Sequence, residues 1–190
     1  APLASAAATL ARPATNRAVA VLLVIYTLNY LDRQIVNIVA EPIKVELQLQ
    51  DWQLGLLTGL AFAVFYTLLG IPLARYADRP GADRPVLIAA CLGVWSGMTA
   101  LCGLANNYVQ LLLARIGVGI GEAGCSPAAH ALISDIVPRD RRASAMAVYS
   151  MGIPLGKLFG LLIGGVIAHL LGWRMSFLLL GVPGLLLALV

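Results

Sequence analysis

The chain has 190 residues, 60% of them hydrophobic and only 12% charged, with a mean hydropathy of +0.88. A soluble domain carries about 25% charged residues, so an ordinary globular domain is excluded. The net charge of +4 is no nucleic-acid footprint, because the basic residues fall between apolar runs rather than on one patch.

Residues 1–17 are Ala-rich with Pro, Thr and Arg, and are expected to form a disordered cytoplasmic lead without the h-region of a signal peptide. Residues 18–190 are expected to form one transmembrane domain. Span one, Ala18–Ala40, rises roughly 34 Å as a helix, against a bilayer core of about 30 Å. Spans two to five follow at Leu54–Ala74, Val86–Ala105, Tyr108–Ile133 and Ala143–Leu171. A sixth starts near Met175 and is cut at Val190. Cys91, Cys102 and Cys125 all lie inside spans, with an odd count and no metal-ligand spacing, so no metal, disulfide framework or other cofactor is expected.

Basic residues set the orientation. Arg12, Arg17, Arg75, Arg79, Arg84, Arg139, Arg141 and Arg142 fall on one side, against Lys44 and Arg174 on the other. The positive-inside rule then places the N-terminus in the cytoplasm, and Trp52, Tyr108 and Trp173 at the outer interface. Glycines spaced four apart mark close helix contacts: Gly152, Gly156, Gly160 and Gly164 in span five, with Gly55/Gly59, Gly93/Gly97 and Gly117/Gly121 elsewhere.

Charges inside spans cost on the order of 3 kcal/mol each, and so mark function or pairing. Tyr26, Asn29, Tyr30, Arg33 and Asn37 recur at three- and four-residue spacing on one face of span one, with Asp32 at its edge. Tyr26, Asn29, Tyr30 and Asn37 are the candidate lining of a substrate cavity. Arg115 and Glu122 share a face of span four. Asp32 and Arg115 lie roughly 12 and 10 Å below the outer ends of their helices, so they can pair. Lys157, mid-span in helix five, is expected to meet Glu122. This network of Asp32, Arg33, Arg115, Glu122 and Lys157 reads either as a structural salt-bridge cluster or as a titratable site coupled to transport. A buried carboxylate whose basic partner departs can exchange a proton.

Two further patterns carry little. Gly119-Ile-Gly121-Glu-Ala-Gly124 fits a dinucleotide fingerprint but lies mid-span, not at a strand-to-helix turn. Gly70-Ile-Pro-Leu-Ala-Arg75 and Gly152-Ile-Pro-Leu-Gly-Lys157 differ in span register by about two turns, so they are no repeat. His130 and His169, near span ends, read as packing residues. No nucleophile–base pair suggests an enzyme.

The run Tyr66-Thr-Leu-Leu-Gly-Ile-Pro-Leu-Ala-Arg-Tyr-Ala-Asp-Arg79, with Gly81 and Arg84, resembles the signature loop of the major facilitator superfamily. Arg115-Ile-Gly-Val-Gly-Ile-Gly-Glu-Ala123 and Gly172-Trp-Arg-Met-Ser-Phe177 resemble two more of its motifs. Leu28-Asn-Tyr-Leu-Asp-Arg-Gln-Ile-Val36, Leu54-Gly-Leu-Leu-Thr-Gly59 and Gly121-Glu-Ala-Gly-Cys-Ser-Pro127 are similar to its spinster-like branch. The resemblance implies an all-α integral membrane fold, the six-helix N-terminal bundle (a 3+3 inverted repeat) of a twelve-span transporter. It implies alternating access driven by protons, with Asp32, Arg33, Arg115 and Glu122 as functional charges. Asp78, Arg79, Gly81 and Arg84 would form a cytoplasmic gate. Ala82 and Asp83 stand where that loop usually has a basic pair.

The expected function is proton-coupled secondary transport of a small lipid-like or organic-anion substrate in a bacterial inner membrane. The expected partners are the bilayer, protons, substrate and a missing C-terminal six-helix half, and not nucleic acid. The chain is read as a fragment. A non-transporting receptor or lipid-binding scaffold, and a six-span half-transporter acting as a dimer, are the alternatives.

Overall fold

The computed structural model describes residues 2–189, with side chains from Pro13 onward. Among these the chain is all-helical. Helix α1 is Pro2–Ile38, α2 Ala40–Glu46, α3 Asp51–Gly55, α4 Ala61–Ala77, α5 Arg84–Gly103, α6 Tyr108–Ala123, α7 Cys125–Ile136, α8 Arg142–Ser150, α9 Gly152–Phe159 and α10 Gly165–Leu187. Single π turns at Leu56–Leu60 and Gly160–Gly164 join α3 to α4 and α9 to α10. Span two is thus α3–α4, span three α5, span four α6–α7, and span five α8, α9 and the start of α10.

Among the residues with described side chains, α1 already runs helically through Pro13–Arg17 into span one. Alanine is the strongest helix former, and here it outweighs the proline within the run.

Prolines explain three breaks inside spans or at their ends. Pro42, Pro127 and Pro154 stand four residues after Ile38, Ala123 and Ser150, where α1, α6 and α8 end. A proline ring clashes with the carbonyl four residues before it, which is where each helix gives way. Pro72 and Pro183 remain inside α4 and α10.

Among the described residues, four stretches are long and apolar enough to cross a membrane: Pro13–Ile38, Asp51–Ala77, Arg84–Gly103 and Arg139–Leu187. Six spans reconcile with these four through two local features. Span four is divided at Gly124, and spans five and six run together through Gly172. Gly172 has φ 83° and ψ 169°, a region essentially closed to residues with a Cβ, so the chain reverses there.

The glycine series forms a helix-to-helix seam. A Cβ on Gly152 would meet Tyr26 Cβ at 2.9 Å, and one on Gly156 would meet Thr27 O at 2.5 Å and Tyr30 Cβ at 2.6 Å. One on Gly160 would meet Gln34 Cβ at 2.7 Å, and one on Gly164 Ile35 Cδ1 at 2.7 Å. Span five therefore lies directly on span one, and the two run parallel because their numbers rise together. Gly117 and Gly121 seat span four on Met98 and Trp95 of span three. Gly181 seats span six on Ser96 and Ala100. Gly93 and Gly97 make ordinary contacts at 3.8 Å, while a Cβ on Gly55 or Gly59 would meet no atom within 4 Å.

Two apolar clusters result. One gathers Leu22, Ile25, Leu92, Trp95, Ala129, Ile133 and Tyr149, and the other Ile35, Val36, Leu57, Leu111, Val118 and Phe177. In chain order Asp32 and Arg33 on span one, and Glu122 on span four, fall between the two clusters, while Arg115 lies within the second. Large apolar side chains such as Leu60, Leu68, Leu161 and Leu162 stand exposed on spans two and five.

Candidate functional site

Span one offers two consecutive charges that point to different partners. Asp32 is 2% exposed, and its Oδ1 accepts from Thr99 Oγ1 at 3.0 Å. Its Oδ2 pairs with Arg115 Nη1 at 3.3 Å. Arg33 turns the other way and pairs with Glu122, its Nη2 at 2.7 Å and its Nε at 2.8 Å from the same Oε2. Each helix thus gives one acid and one base, crossing to the opposite kind on the other. The formal charges of the four groups sum to zero, so each buried charge faces a partner of opposite sign.

Aromatic rings wall the cluster. Arg33 Cζ lies 5.2, 5.0 and 4.9 Å from the ring centres of Tyr30, Phe62 and Tyr66, and Arg115 Cζ lies 5.7 Å from Phe62. Phe62 therefore contacts both guanidiniums from span two. Among the described residues Glu122 Oε1, Arg115 Nε and Asn29 Oδ1 are buried with no hydrogen-bond partner. Such orphan atoms are costly in this state, and each calls for a partner in another.

The predicted site residues separate into three groups. The Asp32–Arg115 pair forms as depth matching anticipates. Lys157 does not meet Glu122: Arg33 takes that position, and Lys157 is exposed with no ion pair among the described residues. Matched depth puts Lys157 at the right level, but it does not say which of two bases reaches the carboxylate, and Arg33 does. Of the cavity candidates, Tyr26 stacks on Tyr149 at 4.3 Å and meets Tyr30 edge-on at 5.1 Å. Asn37 is exposed and its Nδ2 donates to Arg33 O at 3.4 Å. Asn29 departs from that stripe and is buried inside the bundle, 3% exposed. Three spacings from Tyr26 carry it round toward the Asp32 side.

Thr99, Phe62 and Tyr66 escape sequence reasoning. Thr99 is one hydroxyl in an apolar run, and only tertiary packing reveals that it faces Asp32. Phe62 and Tyr66, four apart in span two, share a face, but nothing in the sequence says which.

Each end of the bundle carries a loop site. At the predicted cytoplasmic end, Asp83 caps α5, its Oδ1 accepting from Val86 N at 3.1 Å, so the acid that departs from the usual loop pattern has a structural task. Arg84 Nε donates to Ala77 O at 2.9 Å, and its Nη1 pairs with Asp135. Asp78, Arg84, His130 and Asp135 line one open depression there. Gly81 has φ 80°, which the turn after Arg79 requires. At the other end Trp173 Nε1 donates to Glu46 Oε2 at 2.7 Å. Arg174 pairs with Glu46 and donates to Ala105 O at 3.0 Å. Trp52 and Tyr108 pack edge-on at that same end, 6.4 Å apart.

Comparison with known proteins places this geometry. Residues 22–190 match the family model described as Major Facilitator Superfamily. An MFS-type efflux pump of Mycolicibacterium smegmatis is 44% identical over 171 residues, 90% of this chain and 39% of that protein. A hexuronate transporter of Bacillus subtilis is 33% identical over 86% of this chain and 38% of its own length. The solved structure of a bacterial homolog to the human lysosomal transporter Spinster, inward-facing and unoccupied, superposes with a TM-score of 0.89 at 41% identity. It is covered to 42%, and this chain to 93%. The chain spans about two-fifths of the length of the relatives it matches.

Proposed function

We propose that this chain, which belongs to the Major Facilitator Superfamily, serves as the N-terminal half of a proton-coupled secondary transporter. Its substrate is a small organic anion or an anionic lipid-like molecule. The observation that carries this reading is the crossed pairing of Asp32 with Arg115 and Glu122 with Arg33.

Each pair bridges spans one and four. Protonation of Asp32 or Glu122 removes the charge that holds the facing arginine, and the arginine can then take another partner. Glu122 Oε1, buried and unpartnered, is a ready acceptor for that proton. A change in which charges are paired changes the relative energy of the two access states, and a ligand or proton shifts an equilibrium only through such a difference. The glycine seam between spans one and five offers a close contact along which such a change could be accommodated. An anionic substrate is supported by the partly exposed Arg33 guanidinium and by the hexuronate transporter among the relatives.

The membrane in question is proposed to be a bacterial inner membrane, with the N-terminus cytoplasmic. The basic loop residues support that orientation, and Asp78, Arg79, Gly81 and Arg84 would then form the cytoplasmic gate. The test is reconstitution of the full-length protein into liposomes with an imposed pH gradient. Accumulation of organic anion that collapses with a protonophore supports the reading, and gradient-independent behaviour contradicts it.

A further inference from the structure

We propose that Lys157 and Arg33 form a two-cation cradle, on either side of Tyr30, that binds the anionic group of the substrate. This inference rests on the transporter reading above and adds a residue and a ligand chemistry to it.

The charge ledger of the membrane interior points to Lys157. Asp32, Arg115, Arg33 and Glu122 pair with one another and cancel. Lys157 is left as a surplus cation, exposed and without an ion pair among the described residues. It stands 15 residues from the start of α8 at Arg142 and 15 from the turn at Gly172 (157 − 142 and 172 − 157). Roughly 22 Å of helix therefore separates it from either end, too far for its stem to snorkel to the interface. A lone charge at that depth is sustained by a water-filled pathway or by an anion.

Helix geometry says which way Lys157 points. Spans one and five are parallel, with Thr27, Tyr30, Leu31 and Gln34 against Gly156 and Gly160. Lys157 follows Gly156 by one residue, so it is rotated about 100° forward from the direction facing span one. Arg33 is rotated about 110° backward from the direction facing span five. For two parallel right-handed helices, forward on one and backward on its neighbour are the same side. Both cations therefore open onto one side of the pair, at the level of Tyr30, whose Cβ touches the Gly156 position.

Arg33 stays partly open there. Its Nε and Nη2 engage Glu122 and Tyr66 is a further hydrogen-bond partner, but its side chain is 29% exposed and its guanidinium lies over the Tyr30 ring. Two cations flanking one tyrosine suit a carboxylate, sulfonate or phosphate group, the first held by a point charge and the second by a fork. A free organic anion and an anionic lipid headgroup share that chemistry.

The experiment measures binding to the detergent-purified full-length protein, separately from flux. The probes are D-glucuronate and benzoate as free anions, lysophosphatidylglycerol as a lipid anion, and D-glucose and monooleoylglycerol as neutral controls. At least one anion should bind while its neutral control does not. Lys157→Gln should weaken that anion by about ten- to a hundredfold, the loss of one charge-assisted contact. Lys157→Arg should retain most of the affinity. Which anion responds identifies the source as free or lipid. No anion bound by the unaltered protein, or equal affinity in Lys157→Gln, overturns the cradle; the second result would follow if Lys157 simply pairs with an acid elsewhere in the full-length protein. Flux in liposomes tests the underlying reading alone, since transport that persists with equal anion binding in Lys157→Gln removes only the cradle.

Discussion

Arg33 grips Glu122 through one oxygen only: Nη2 and Nε both converge on Oε2, at 2.7 and 2.8 Å, while Oε1 is buried without a partner. A fully ionised structural pair would gain from using both carboxylate oxygens, because bidentate pairing is the stronger geometry. The unused oxygen is the site where a proton would be added. Glu122→Gln replaces that oxygen or its neighbour with an amide that cannot titrate. In the full-length protein this variant should keep its detergent-stable fold and lose pH-gradient-driven accumulation. Counterflow of substrate, which needs no net proton movement, should persist.

The Asp32–Arg115 pair yields a stability prediction. Both groups are about 2% exposed, so removing either leaves a buried, uncompensated charge. Arg115→Met alone should destabilise the bundle by about 3–5 kcal/mol. The double variant Asp32→Leu/Arg115→Met should recover a large part of that loss. A double-mutant cycle on thermal or denaturant unfolding in micelles reads the coupling, and additive losses would show that the two groups do not interact.

Glycine positions that look alike in sequence should respond differently. An alanine at Gly156 would bring its Cβ to 2.5 Å from Thr27 O and 2.6 Å from Tyr30 Cβ, both close to backbone that cannot retreat alone. Gly156→Ala should cost about 1–3 kcal/mol by overpacking. Gly59→Ala meets nothing within 4 Å and should be neutral or slightly stabilising, since alanine is the better helix former. Thermal midpoints of the two variants make the comparison.

Much of this architecture is legible in the chain itself. Hydropathy finds the spans, and helical rise from the span ends is enough to pair Asp32 with Arg115. Rise gives depth but not rotation. Depth alone offers Glu122 two bases, Lys157 and Arg33, and only the packing shows that Arg33 takes it. The same limit hides Thr99, Phe62 and Tyr66, whose contacts depend on how spans two and three are turned. Gly55/Gly59 repeats the spacing of the span-five seam and packs on nothing among the described residues, because spacing marks a face without naming its neighbour. Prolines are half-legible: three of them end a helix four residues earlier, while Pro72 and Pro183 are absorbed.

The clasp at Glu46 gives a pH dependence outside the membrane layer. The Trp173 indole N–H, and then Arg174, hold the Glu46 carboxyl below its usual range. A lowered native value means the stabilisation is present above the unfolded-state pKa and is lost as pH falls through the native one. The midpoint difference between the unaltered protein and Glu46→Gln should therefore be present at neutral pH and vanish in acid. Glu46 is half exposed, so the difference should be small.

The most direct measurement is proton-driven accumulation by the full-length protein carrying Asp32→Asn, in liposomes with an imposed pH gradient. Asp32 is the acid at the centre of the crossed pairs, bonded to both Thr99 and Arg115. The expected result is a folded protein that no longer concentrates an organic anion against its gradient, while exchange across the membrane continues. Undiminished proton-driven accumulation in that variant would contradict a proton switch built on these charges.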